Sequence, residues 1–168
     1  YTQRQLASMR DAIKNTYGLQ EGTGLVAGFA PFALLGPALG ATSVTPTMDV
    51  TKPKTLTATA LAAATAAIDA TTVFASPAAL MNVVKTAATL NEQHKQALAA
   101  VDMLLSAGAP LAVPLLQAVQ SIVPNASIHT PYGMTEALPI TDVSFEEIQT
   151  AIADGTEQNM LGAREGVC

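Results

Sequence analysis

Apolar residues in this chain fall in short unbroken runs, and helical periodicity fills the gaps between them. The runs are Leu25-Val26-Ala27-Gly28-Phe29, Ala41 to Val44, Thr71-Thr72-Val73-Phe74-Ala75, Asp102-Met103-Leu104-Leu105 and Ser127 to Thr130. Strands covered on both faces read as continuous apolar runs rather than alternating ones. The first helix spans roughly residues 3–17: Thr2-Gln3-Arg4-Gln5 has the form of a capping box, Leu6, Met9 and Ile13 recur at helical spacing, and Gly18 is a natural stop. Pro31 to Gly36 reads as a turn and Pro37 to Leu39 as a helix start. Thr45 to Pro53 reads as a loop, and Lys54 to Ile68, Ala- and Thr-rich, as a helix. Ser76-Pro77 caps the next helix, whose buried face is Leu80, Val83, Val84 and Ala87. Further helices are expected over Asn91 to Ala99 and over Pro110 to Val123, where Pro114 must sit in the first turn or kink the helix. Strands alternating with helices of this length predict an α/β fold with a mostly parallel sheet flanked by helices.

After the fifth run, Leu138-Pro139-Ile140-Thr141-Asp142-Val143 predicts an edge strand, because Pro139 cannot donate to a central ladder. Ser144 with Glu147 is a second capping box, predicting a helix over roughly residues 145–153. Asp154 to Cys168 is Gly-rich and polar, and reads as a loop that stops short of another expected strand.

Gly22 to Met48 carries no charge and is long enough to invite a membrane-spanning reading. Its prolines, glycines and division into pieces argue instead for strand, turn and strand. Composition is 49% hydrophobic and 12% charged, apolar for a domain that would ordinarily be ~25% charged, so self-association through exposed sheet edges and apolar surface is expected. The net charge of −5, with no basic patch, argues against nucleic acid. A single cysteine, Cys168, makes no internal disulfide and points to a reducing, cytoplasmic setting. His94 and His129 are far apart in the chain and lack thiolate partners, so zinc is not expected; spacing assembles no Ser/His/Asp set, and His129 reads as a satisfied core residue.

Chemistry concentrates in Ala126-Ser127-Ile128-His129-Thr130-Pro131-Tyr132-Gly133-Met134-Thr135-Glu136. Ser127 to Thr130 reads as a short buried strand, after which Pro131 and Gly133 force a turn with Tyr132, Thr135 and Glu136 at its mouth. An aromatic face, a hydroxyl and a carboxylate so close together suit a nucleotide, through ring stacking, a phosphate contact and a magnesium ligand. Ligands of open α/β sheets bind outside the carboxyl ends of the strands, where such a turn lies.

The Tyr-Gly-x-Thr-Glu pattern resembles that of the adenylate-forming ligases: acyl-CoA synthetases, fatty-acyl-AMP ligases, luciferases and relatives. Upstream, Ser106-Ala107-Gly108-Ala109-Pro110-Leu111 resembles the family's adenine-side loop, at fitting spacing. Ala30-Pro31-Phe32-Ala33-Leu34-Leu35-Gly36 resembles the loop that commonly carries an aromatic and then a histidine, with Phe32 as the aromatic and Ala33 where the histidine usually stands. Ala33, together with Thr130 to Pro139, suggests the olefin-biosynthesis subgroup, which closes a β-hydroxy acid to a β-lactone; a long-chain acyl-CoA or acyl-AMP ligase is the alternative.

The resemblance implies ATP and Mg2+ as cofactors, AMP retained in an acyl adenylate, and a fatty-acid-type substrate, with coenzyme A open as an acceptor. Tyr132, Gly133 and Met134 would meet adenine on one side and Ser106, Ala107, Gly108 and Ala109 on the other. Thr135 would contact a phosphate, Glu136 would hold magnesium, and Phe32, Ala33 and Gly36 would border the acyl group. The resemblance makes residues 1–168 a partial subdomain of the family's large N-terminal domain. The phosphate loop would precede Tyr1, the ribose-binding aspartate would follow Cys168, and the C-terminal domain with its catalytic lysine would lie elsewhere, so these residues alone are expected not to turn over. Two other classes compete: a non-catalytic doubly wound nucleotide-binding module, disfavoured because Gly22-Thr23-Gly24 precedes its strand instead of following it, and an assembly domain with an apolar partner surface.

Overall fold

Five short strands of a parallel sheet organise the protein, a computed structural model describing residues 2–134 and 137–155. Chain order is α1 (Gln3–Thr16), β1 (Gly24–Gly28), α2 (Ala30–Ala38), β2 (Thr42–Val44), α3 (Ala58–Ala67), β3 (Thr72–Ala75), α4 (Pro77–Thr86), α5 (Glu92–Ala99), β4 (Met103–Leu105), α6 (Val113–Ile122), β5 (Ser127–His129), β6 (Tyr132–Met134), β7 (Ala137–Thr141) and α7 (Phe145–Ala153). The sheet order is β2-β1-β3-β4-β5, all pairs parallel. This is a doubly wound arrangement whose direction of winding reverses between β1 and β3.

The pleat separates two cores. Val26, Val73, Leu104 and Ile128 stand in register across four strands and face α3 to α7. The next level, Ala27, Phe74, Leu105 and His129, points to the opposite face, where Ile13 and Tyr17 of α1 and its C-cap join Phe32 of α2. Neighbours on a strand point to opposite faces, so this registry accounts for both cores.

Capping follows the sequence closely. Thr2, Ser76, Asn91 and Ser144 each cap the helix that follows, with reciprocal capping boxes at Thr2–Gln5 and Ser144–Glu147. Pro114 falls in the first turn of α6, where no N–H is needed.

The expected turn over Pro31–Gly36 is instead the body of helix α2, with Pro31 in its first turn and Pro37 inside its last. A proline at 37 withdraws the donor that Ala33's carbonyl would otherwise receive. Ser43 of β2 supplies a replacement, its Oγ donating to Ala33 O at 3.3 Å, so the helix survives by tertiary compensation. Helix α3 begins at Ala58 rather than Lys54, since Thr57 caps it and Pro53–Thr55 form a separate 3-10 turn. Strand β5 is an edge strand in which only Ile128 is buried, not a buried strand throughout. The turn expected at Pro131–Gly133 is strand β6, which pairs antiparallel with β7 in a separate two-stranded sheet. Leu138–Val143 therefore does not edge the main sheet; Pro139 is tolerated because β7 pairs with β6 alone. Gly22 to Met48 folds as β1, α2 and β2, and no helix among the described residues is long and apolar enough to cross a membrane.

Candidate functional site

Because β1, β3, β4 and β5 run parallel, their carboxyl ends share one rim. Strands β4 and β5 stay paired to their last residues, Leu105 opposite His129, and the N–H of Ser106 then donates to His129 O at 3.0 Å. The Ser106 loop and the Thr130-Pro131-Tyr132 segment thus leave the sheet from adjacent strand ends. Ser106 is 1% exposed, and its Oγ is buried with no hydrogen-bond partner among the described residues. An unsatisfied buried hydroxyl costs free energy, which a bound polar ligand would relieve. Beyond it Ala107 packs on the α1/α2 core, while Gly108 and Ala109 are exposed. Gly108 has φ +102, a conformation open to glycine, which bares its backbone at the rim.

Tyr132 opens the β6–β7 hairpin with its side 44% exposed. Gly133 is required where it stands: a Cβ there would lie 2.9 Å from Ala137 O and would also meet Leu138 Cδ2. Met134 is exposed beside it. Thr135 and Glu136, the expected phosphate and magnesium residues, lie outside the described residues. No group of three or more His, Cys, Asp or Glu among the described residues could hold a metal ion. The structure thus starts the Ser106 to Ala109 loop and the segment leading to Tyr132 from adjacent strand ends on one rim.

Phe32, Ala33 and Gly36, expected to border the acyl group, lie farther along that rim, at the reversal between β1 and β3. Phe32 is buried and stacks on Phe74, centroids 3.8 Å apart and 14° from parallel; Phe29 covers the same ring at 5.6 Å and is itself exposed. Ala33 packs against this core. Gly36 is buried facing β2, where an added Cβ would lie 2.6 Å from Ser43 Cβ, so it serves the close approach of α2 to the sheet. Phe29 and Phe74 escaped sequence reasoning as site residues. Their signal was position alone, an aromatic at the end of each strand flanking the reversal.

A polar cluster that spacing did not assemble sits next to the rim. His129 Nδ1 lies 2.6 Å from Asp142 Oδ2, and His129 Nε2 lies 3.0 Å from Ser127 Oγ. A carboxylate only accepts, so Nδ1 carries a proton, while Nε2 accepts from the serine hydroxyl in the neutral ring and donates to it in the imidazolium. Asp142's hydrogen bond raises the imidazole pKa, burial opposes it, and the charges of Asp142 and Glu147 add to the rise. Tyr17 lies edge-on to the imidazole at 5.8 Å, its hydroxyl buried without a partner among the described residues; burial and then Asp142's charge push that phenol well up. The Ser127–His129–Asp142 order is that of a nucleophilic triad. Ser127, however, stands exposed on an edge strand, and neither the depression lined by Leu90 and Ile122 nor that on α7 borders it. Ser127 and His129 share a face by strand period, but nothing local in the sequence signals Asp142 as the third member.

A family model described as AMP-binding enzyme matches residues 27–162. The chain is 35% identical over 150 residues to the olefin beta-lactone synthetase of Stenotrophomonas maltophilia, across 89% of this chain and 26% of that protein. It is 35% identical over 144 residues to the olefin beta-lactone synthetase of Xanthomonas campestris pv. campestris, across 85% of this chain and 24% of that protein. The chain spans about a quarter of the length of these curated relatives. Among solved structures, a malonyl-CoA ligase in ternary product complex with methylmalonyl-CoA and AMP superposes with a TM-score of 0.67 at 22% identity, over 85% of this chain and 31% of that one. That likeness is one of fold.

Proposed function

This chain belongs to the AMP-binding enzyme family, and from that premise we propose that it forms the adenine and acyl faces of an ATP-dependent enzyme that activates a carboxylic acid as its acyl adenylate. The observation carrying this reading is the Ser106–His129 backbone bond, which sets the Ser-Ala-Gly-Ala loop and the Tyr132 hairpin on adjacent strand ends of one rim. In the proposed reaction a carboxylate oxygen attacks the α-phosphorus of ATP, the bond to the β-phosphate oxygen breaks, and pyrophosphate departs. Tyr132 offers its ring face to adenine, and Ser106 to Ala109 offer small side chains, a bare backbone and an unpaired hydroxyl opposite. Thr135 as phosphate contact and Glu136 as magnesium ligand complete the proposal from the family pattern.

The acyl group is proposed to lie along Phe29, Phe74 and Phe32. With Ala33 in place of a polar side chain, this ledge suits an apolar chain. The likeness to two olefin beta-lactone synthetases favours a β-hydroxy fatty acid. Its hydroxyl oxygen would attack the adenylate carbonyl carbon, lose its proton and expel AMP, leaving a β-lactone. A long-chain acyl-CoA ligase is the alternative, and product analysis separates lactone from thioester.

Residues 1–168 are proposed to bind nucleotide without turning over, because positioned charge around the transferring phosphate dominates such reactions and little of it is carried here. Calorimetric titration with ATP and AMP tests binding: heat of association absent in the wild type and present in no variant would remove the adenine site. A pyrophosphate-release rate from these residues matching that of a full-length family member would refute the second half.

A further inference from the structure

We propose that His129 is a positioning residue: held by Asp142 and Ser127, it locks the stem of the β6–β7 hairpin and so sets where the Tyr132 ring stands at the rim. The functional half of this inference rests on the reading of Tyr132 as the adenine face.

The chain leaves the main sheet after His129 and comes back to it at Ser144, where the two residues form an antiparallel bridge. Strands β6 and β7 lie between these two points, and β7 also packs on α1, with Leu138 against the Ile13–Tyr17 core. Two further ties close the stem. Thr130 donates both its N–H and its Oγ1 hydroxyl to Val143 O, each at 2.9 Å. The imidazole of His129 bonds Asp142 at 2.6 Å. The first tie is backbone-centred and holds spacing. The second joins two side chains pointing to the α1 face, so it fixes how the returning strand is rotated about the stem.

The imidazole is held from every side. Asp142, the residue after β7, takes Nδ1, Ser127 of β5 takes Nε2, and Tyr17, the C-cap of α1, lies edge-on at 5.8 Å. Glu147 of α7 adds its charge from the fourth element. His129 also occupies the outermost place in the row Ala27, Phe74, Leu105, His129, so its orientation is referred directly to the sheet. The hairpin itself contains a register irregularity between Tyr132 and Met134, and both side chains are exposed. Tyr132 is three residues from His129 along the chain. Its ring position therefore inherits the orientation of the stem.

The test compares wild type with H129A, D142A, H129N and S127A by hydrogen exchange and AMP titration. Asn at 129 keeps a donor near the Nδ1 position but cannot titrate. Exchange of the β6 and β7 amides should rise about tenfold in H129A and D142A, while amides of β3 and α3 keep their wild-type rates. AMP affinity should fall at least about fivefold in the same two variants, and H129N should recover most of both. S127A should change exchange by less than about threefold, because its bond holds the ring and not the stem. Unchanged hairpin exchange in both H129A and D142A overturns the proposal. Should H129A lose protection in β3 as well, D142A and H129N decide it alone. Raised exchange in a protein whose wild type binds no AMP leaves the lock standing and overturns the adenine reading instead.

Discussion

The ring of Phe32 lies on that of Phe74 with 3.8 Å between centroids and 14° between planes, joining helix α2 to strand β3 across the point where the sheet reverses its winding. Phe74 is buried within the core on the α1/α2 face, whereas Phe29, which also stacks on it, is exposed. Truncating the two should therefore separate stability from binding. Phe74→Ala removes a buried aromatic and should cost about 3–5 kcal/mol of unfolding free energy in urea titration. Phe29→Ala should cost under about 1 kcal/mol, yet weaken binding of a long-chain acid or its adenylate analogue.

Ser106 gives the sharpest contrast. Its hydroxyl is buried and has no partner among the described residues, so Ser106→Ala removes a desolvated group without breaking a bond to any of them. Thermal unfolding should show a stability equal to wild type or higher by up to about 1 kcal/mol. AMP affinity should fall several-fold if that hydroxyl serves the nucleotide. Equal affinity would assign Ser106 to packing alone.

Gly133→Ala should act on the hairpin and leave the sheet intact. A Cβ would press on Ala137 O at 2.9 Å, and backbone cannot swing aside as a side chain can. The expected result is a displaced β6, weakened AMP binding, and amide shifts confined to residues 130–143 in heteronuclear NMR.

Ser43→Ala tests the compensation that lets Pro37 sit in a helix. Losing the Oγ bond to Ala33 O leaves a helical carbonyl without a donor and should cost about 1 kcal/mol. Reintroducing a donor by Pro37→Ala in the same background should restore stability, as a double-mutant cycle in urea would show.

The His129–Asp142 pair has a pH signature of defined sign. The folded-state pKa of His129 is raised, chiefly by its hydrogen bond to Asp142. Its contribution to stability is thus complete below the unfolded histidine value of about 6.5 and is lost as pH rises through the higher folded value. Wild type minus H129N unfolding free energy should accordingly be larger at pH 5.5–6 than at pH 9. A difference that stays constant, or grows toward alkaline pH, would show that the imidazolium is not stabilised by the fold.

Several features were legible because their causes are local. Thr2, Ser76 and Ser144 cap helices through side-chain oxygens bonding amides three residues on. The apolar runs became strands because both faces of the sheet are covered. The Ser106 loop and Tyr132 were legible as a pair from their resemblance to a family pattern, and the rim they share follows from parallel strands. The turn at Pro31–Gly36 failed because proline statistics speak only of backbone neighbours, and Ser43 repairs the helix from another strand. Pro131 and Gly133 signal a break to any local reading, while strand pairing of Tyr132 with Thr141 depends on a return of the chain.

Patterning and capping chemistry, which act over three or four residues, specified an α/β protein with parallel strands and told where most helices begin. The family pattern, likewise contiguous, marked Ser106 to Ala109 and Tyr132 to Met134. Which residues meet across the sheet was settled only by tertiary structure: Phe29 and Phe32 on Phe74, Ser43 under Ala33, and His129 between Ser127 and Asp142. Those contacts depend on strand order and register, and a period of two or of 3.6 carries no record of which strand will become a neighbour.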